Sequence, residues 1–283
     1  MPSVALATCA DLPDLYADDE PLRAALLARG AVPVPAVWDD PAVAWDAFDL
    51  VVIRSTWDYV ERRDAYVAWA RSVPRLANSA TVVAWNTDKT YLRDLPVPVV
   101  PTAWVTSGTL ADVLSERGWT DVVVKPAVSA GARNTVRCNA SPEGEAMLRA
   151  ILAEGTAMVQ PYVAAVEEYG ERSLLFAGGA FTHAVRRNPA LSLEGESRYD
   201  ARLVEATDAE LDLARRVLAA VPEPLLYARV DLIPDANGDP MLMELEVTEP
   251  QLFLRFSAPG AAALADAIVA RAGSVGRGTT NGS

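Results

Sequence analysis

Three short apolar runs, SVALATC (Ser3 to Cys9), AVPVPAVW (Ala31 to Trp38) and FDLVVIRS (Phe48 to Ser55), alternate with helical signals along the first eighty residues. Between the first two lies DDEPLRAALLARG, which has an acidic start, apolar residues at helical spacing and a terminal glycine. This order predicts a parallel sheet with helices on its faces, an α/β lobe. Open sheets of that kind bind ligands beyond the carboxyl ends of their strands. Cys9, Trp38 and the run Arg54, Ser55, Thr56, Trp57, Asp58 and Tyr59 fall there. Two readings of that run stand side by side: a ligand-facing cluster, or an Arg54–Asp58 ion pair with Trp57 and Tyr59 covering the core edge.

Beyond Lys89 the pattern changes. VPVVPTAWV is a proline-bounded extended run, and DVVVKPAVSAGARNTVRCN reads as strand, small-residue loop and strand. SPEGEAMLRAILAEG is a helix capped by Ser141 and ended by Gly155, and TAMVQPYV is a further strand. Together they predict a small α+β lobe over 95–160. Two hairpins follow, one turning at Gly178-Gly179 and one at Asn237-Gly238, with a helix from about Asp208 to Val221 between them. A helix from Gly260 to Ala272 closes the fold. The expected division is a lobe of 1–94, a lid lobe of 95–160, an antiparallel-sheet lobe of 161–272 and a disordered tail of 273–283.

The net charge of -13, with basic residues scattered along the chain, argues against a nucleic-acid partner. No run approaches the roughly 20 apolar residues of a membrane helix, and the N-terminus has no basic stretch, so a cytoplasmic protein without membrane contact is expected. Two cysteines, Cys9 and Cys138, are too few for a disulfide framework, and a lone His183 leaves any divalent metal to carboxylates.

With the Asn-Gly turn as its centre, the second hairpin places Asp231 opposite Glu244, with Glu246 on the same face. Three carboxylates on one sheet face repel unless neutralised, and an oxygen-preferring cation such as Mg2+ would do so. A solvated face, or charge balance by Arg229 on the Asp231 side, is the alternative. Lys125 ends an apolar strand where an ammonium gains nothing unless an anion waits there. The small-residue loop after it lets backbone N–H groups approach phosphate. Lys89 alone would read as a surface lysine. Taken with Lys125, the loop and the carboxylates, it completes a set that holds a nucleoside triphosphate and its metal. His183 reads as a satisfied sheet histidine.

Lys89, VVVKP, MVQPYV, GERSLLF, RVDLI and MELEVTEP, in that order, resemble the ATP-grasp superfamily, nearest in pattern to its glutathione-synthetase-like branch. The resemblance spans roughly residues 1–272. It implies ATP between two antiparallel sheets, with Lys89 and Lys125 on phosphates and Gln160, Pro161, Tyr162 and Val163 on adenine. Glu171 would hold the ribose, and Asp231, Glu244 and Glu246 two Mg2+ ions. At Glu246 many members carry Asn. Arg187 matches an arginine near the transferred phosphate, and its neighbour Arg186 points to the opposite face. RSTWDY, KPAVSAGARNT and ELEVTEP further resemble the cycloserine-synthetase (O-ureido-serine cyclo-ligase) subgroup.

In that reading Arg54 takes a substrate carboxylate, Ser55 and Thr56 offer hydroxyls, Asp58 meets an amine, and Trp57 and Tyr59 wall the pocket. Thr248 and Glu249 belong to the same substrate set. The expected partner is a small amino-acid-like molecule, and the expected assembly a monomer or homodimer. The expected reaction is ATP-dependent carboxylate activation followed by attack of a nitrogen, cyclising where that nitrogen belongs to the same molecule. The alternatives are an intermolecular amino-acid ligase and a nucleotide-binding protein without turnover. The loop of 188–202 is expected to close over the acyl phosphate, with Arg198 and Arg202 either reaching in or lying on the surface. A nicotinamide enzyme is disfavoured, because no glycine-rich turn follows the first strand.

Overall fold

The computed structural model describes residues 1–131, 133–188 and 201–275. Most of the expected closing loop, Arg198 included, and the tail from 276 onward lie outside the described residues. The N-terminal part runs β1 (Ser3–Thr8), α1 (Glu20–Ala28), β2 (Val32–Val37), β3 (Leu50–Ser55), α2 (Arg63–Ser72), β4 (Leu76–Ala77) and α3 (Ala80–Asn86). Its four strands are parallel in the order β2-β1-β3-β4. The central strands are apolar on both faces because both are covered. Val4, Leu6, Leu50 and Val52 pack toward α1, while Ala5, Ala7, Val51 and Ile53 meet Trp38, Tyr66 and Trp69.

The edge strand β2 contains two prolines. Val32 N donates to Pro2 O and Trp38 N to Thr8 O, so by alternation Pro33 and Pro35 turn outward. That outer edge therefore lacks two donors a pairing strand would need.

The next part comprises β5 (Ala103–Val105), α4 (Leu110–Arg117), β6 (Val122–Pro126), β7 (Val136–Cys138), α5 (Pro142–Glu154) and β8 (Ala157–Pro161). Its sheet is antiparallel, ordered β5-β8-β6-β7. Ser141 caps α5 by accepting from Gly144 N at 3.2 Å. The proline-bounded run before β5 divides: Val99 bridges Leu242 of the last hairpin, and only Ala103–Val105 joins the small sheet.

The last part holds α6 (Ala165–Tyr169), β9 (Glu171–Ala177), β10 (Ala180–Arg187), β11 (Ala201–Val204), α7 (Asp208–Ala219), β12 (Tyr227–Pro234), β13 (Pro240–Glu246) and α8 (Ala258–Val275). Its sheet is ordered β11-β10-β9-β12-β13. Gly178 and Gly179 turn the first hairpin with φ of 58° and 82°, a backbone that glycine adopts without strain. Residues of α1 and α8 fill the space between this sheet and the parallel one. The closing helix runs to Val275, three residues past its expected end. Among the described residues no helix is long and apolar enough to cross a membrane.

Candidate active site

The second hairpin pairs Asp231 with Glu244, as expected, and Arg229 with Glu246, but only across a register shift between Asp231 and Leu232; nearer the turn Leu232 pairs with Leu242. The protein's own cations, however, already meet these carboxylates. Arg229 donates from Nε and Nη2 to Oδ1 and Oδ2 of Asp231, both at 2.9 Å, and its Nη2 also meets Glu246. Ser173 Oγ donates to Asp231 Oδ1 at 2.7 Å, and Arg187 Nη2 donates to Oδ2 at 2.9 Å. Every acceptor direction of Asp231 is taken. Among the described residues no three carboxylates stand together as a ligand set for one ion. The expected charge balance by metal is thus met in this arrangement by Arg229, which spacing had offered only as the alternative.

Lys89 is buried. Its ammonium donates to the backbone oxygen of Ser129, to Ser129 Oγ at 3.1 Å and to Glu244 Oε1 at 3.3 Å. It therefore ties the loop after β6 to the end of β13. Lys125, half-buried on β6, feels Glu244, Glu171 and Asp231, but burial outweighs them and lowers its pKa. Arg187 bridges Glu171 at 2.9 Å to Asp231 and also donates to Ser173 Oγ at 3.0 Å. Arg186 points to the other face and donates to the carbonyls of Tyr169 and Glu168. Arg202 pairs with Arg186 and is exposed. His183 is satisfied within the sheet, and burial lowers its pKa.

Of the adenine candidates, Gln160 is buried and donates to Thr102 Oγ1 at 2.8 Å. Tyr162 and Val163 join Val100, Ile233, Met241 and Met243 in one apolar cluster, a surface of the kind an aromatic ring can lie against. Tyr162 also carries the Arg137 guanidinium over its ring and donates to Glu167 at 2.9 Å.

The RSTWDY run is largely engaged inside the protein. Arg54, 2% exposed, pairs with Asp19 at 2.8 Å and not with Asp58. Asp58 instead accepts from Trp38 Nε1 at 2.9 Å and from Arg62 at 3.1 Å. The chain leaves β3 in a tight helical turn over Trp57–Glu61, which brings Arg62 one turn on from Asp58. Ser55 donates to Asp19, Thr56 bonds Tyr66 OH, and Tyr59 stacks on Tyr66 at 5.0 Å.

Two members of the run have a further task. Trp57 Nε1 donates to Glu249 O and Arg54 Nη2 to Pro250 O, each at 3.1 Å. On either side Val247 O accepts from Asn78 at 2.8 Å, Thr248 O from Tyr227 OH at 2.8 Å and Gln251 O from Arg229 at 3.1 Å. Leu252 O accepts from His183 Nε2 at 3.2 Å. Six consecutive carbonyls outside any strand or helix are thus each held by a different side chain. Asn86 and Tyr91 extend this support to the open edge of β13: Asn86 bonds Leu245 O and Val247 N, and Tyr91 OH bonds Leu245 N and O. Thr248 Oγ1 donates to Asn86 Oδ1.

Among the described residues, Glu171, Asp231, Glu244, Glu246 and Glu249 face Lys89, Lys125, Arg187 and Arg229, an excess of one carboxylate. Burial, with the neighbouring carboxylates, pushes Glu246 up to about 7 and Glu249 up to about 8. Burial also acts to raise Asp231, but Arg229 and Arg187 beside it hold its pKa low. A negative excess made of hard oxygen donors suits a divalent cation such as Mg2+. Glu244 and Glu246, each with one ion-pair partner among the described residues, fit that role as they stand; Asp231 fits it only once an arginine turns away.

Sequence reasoning missed Asp19, Ser129, Ser173, Asn78, Asn86 and Tyr91. The one signal for Asn86 was its polarity at the end of the helix ATVVAWN, after the apolar run Val82 to Trp85.

Three sheets joined around lysines and carboxylates define an ATP-grasp fold. The crystal structure of a RimK domain ATP-grasp protein from Sphaerobacter thermophilus DSM 20745 superposes with a TM-score of 0.71, covering 94% of this chain and 99% of that one at 18% identity. The family model of the D-cycloserine synthetase DcsG N-terminal domain matches residues 4–78. The cycloserine biosynthesis protein DcsG of Streptomyces lavendulae is 35% identical over 282 residues, 90% of this chain and 93% of that protein. The crystal structure of D-cycloserine synthetase DcsG superposes with a TM-score of 0.88 at 32% identity, covering 95% and 99% of the two chains. The chain belongs to the DcsG family of ATP-grasp ligases.

Proposed function

We propose that this protein is an ATP-dependent ligase that activates a substrate carboxylate as an acyl phosphate and cyclises O-ureido-D-serine to cycloserine. The observation that carries the reading is 35% identity to a cycloserine biosynthesis protein over 90% of the chain. The convergence of Lys89, Lys125 and Arg187 on the carboxylate hairpin supports it. That similarity favours cyclisation over an intermolecular ligase or a silent nucleotide binder.

In this reading the substrate carboxylate attacks the γ-phosphorus of ATP and ADP leaves. A nitrogen of the same molecule then attacks the acyl carbon and phosphate departs. Lys89 and Lys125 neutralise phosphate oxygens, and Arg187 exchanges its carboxylate partners for the transferred group. Tyr162 and Val163 face adenine, with Gln160 and Pro161 behind them, and Glu171 takes the ribose hydroxyls. Glu244 and Glu246 would hold the magnesium, with Asp231 as the further ligand if two ions bind, and the metal would screen phosphate charge. The end of β3, with Trp57, and the segment of Thr248 and Glu249 form the amino-acid side of the site. The working form is a cytoplasmic monomer or homodimer.

The test is release of ADP and phosphate from Mg-ATP with O-ureido-D-serine as the only added substrate. Release that tracks loss of the ureido compound is the expected outcome. ADP release that requires a second amine acceptor overturns the cyclising reading.

A further inference from the structure

Asp58 was the carboxylate expected to meet a substrate amine, but Trp38 and Arg62 occupy it. Glu249 is placed differently. It is 8% exposed, yet unlike Glu244 and Glu246 its carboxylate makes no ion pair among the described residues. Its charge acts on Glu244, Glu246 and Lys89 on one side and on Tyr59 and Tyr66 on the other. It therefore stands where the carboxylate hairpin meets the end of β3. A carboxylate so buried is costly without a counter-charge.

The backbone around Glu249 is held with unusual thoroughness. Trp57 Nε1 fixes its own carbonyl, and Tyr227 and Arg54 fix those of Thr248 and Pro250. The point from which the Glu249 side chain extends is thereby fixed. The geometry points to Glu249 as the residue that receives the substrate's α-ammonium, pairing with it where no described residue forms an ion pair with this carboxylate and Lys89 is already engaged by Glu244 and Ser129. This assignment rests on the ligase reading for the identity of the substrate and makes Glu249 a specificity-determining residue. It also gives the clamped carbonyls a purpose, since an ion pair at fixed distance orients the carboxylate of the same amino acid toward the phosphate-binding lysines.

The test compares O-ureido-D-serine with its des-amino counterpart by calorimetric titration in the presence of Mg-ADP, where no turnover occurs. Wild-type protein is expected to bind the amine-bearing compound about tenfold or more tightly. Glu249→Gln, equal in shape but uncharged, is expected to bind the two within about twofold. Glu249→Asp, charged but shorter, is expected to keep part of the preference. Thermal melts establish that both variants fold, and the wild-type comparison depends on neither. A wild type without preference, or a Glu249→Gln protein that retains it, overturns the assignment. Failure of the ligase reading appears separately, as absence of ADP release from wild-type protein with Mg-ATP.

Discussion

Arg229 and Asp231, two positions apart on β12 and so on one face of the sheet, form a two-pronged ion pair with both distances at 2.9 Å. Asp231 is 1% exposed, and Arg229 also reaches Glu246. Removing one partner of a buried pair costs about 3–5 kcal/mol. Arg229→Gln should therefore melt well below the wild type, and Mg2+ added without nucleotide should raise its melting temperature more than it raises that of the wild type. An equal Mg2+ effect on both proteins would separate Arg229 from the metal-binding carboxylates.

The raised pKa values of Glu246 and Glu249 predict a pH dependence. Both carboxyls have an ordinary value of 4.5 and stand at about 7 and about 8 in the folded protein. Between these limits the folded state holds protons that the unfolded chain has released, so their contribution lowers stability as pH rises through the window. A cation that binds the ionised forms offsets this loss. The rise in melting temperature caused by Mg-nucleotide should thus be larger at pH 8 than at pH 5.5. A constant increment would show that neither group is coupled to binding.

Glu244→Gln tests the metal site more directly. The side chain is partly exposed, and among the described residues its ion-pair partner is Lys89 at 3.3 Å. Its loss should change stability by about 1 kcal/mol or less, while ADP release falls by about a hundredfold or more. Undiminished turnover would remove Glu244 from the metal-binding set.

The pairing of Arg54 predicts a contrast between two aspartates. Asp19→Asn disrupts a pair in which both side chains are buried and should cost about 3–5 kcal/mol in denaturant unfolding. Asp58→Asn disrupts a contact with a half-exposed arginine and should cost about 1 kcal/mol or less. Equal losses would mean that the Arg54–Asp19 pair is not the stronger brace.

How much of this was legible followed from the range of the interactions. The pairing of Asp231 with Glu244 was read from an Asn-Gly turn. Next to the turn, however, the strands run one residue out of that register, with Leu232 on Leu242, and a shift between Asp231 and Leu232 restores it, which no local signal announced. The parallel sheet was readable because helical and strand patterns alternate within a few tens of residues. The partner of Arg54 was not: Asp58 is near in sequence, but the helical turn after β3 carries it toward Arg62, while Asp19 arrives from the segment before α1. Nor does any sequence pattern announce that Asn86 will bond the backbone of residues 245 and 247, because that contact depends on how α3 docks against the edge of β13.

The segment from Val247 to Leu252 takes its shape from Arg54, Trp57, Asn78, His183, Tyr227 and Arg229. Such contacts close long stretches of chain, and long closures come late because their entropy must be met before they form. The segment is therefore expected to acquire its native form late, after the sheets that carry these side chains have been assembled. In refolding from denaturant, recovery of catalysis should lag behind recovery of secondary structure, and a chain with a misplaced lobe would be folded to the eye of circular dichroism yet inert.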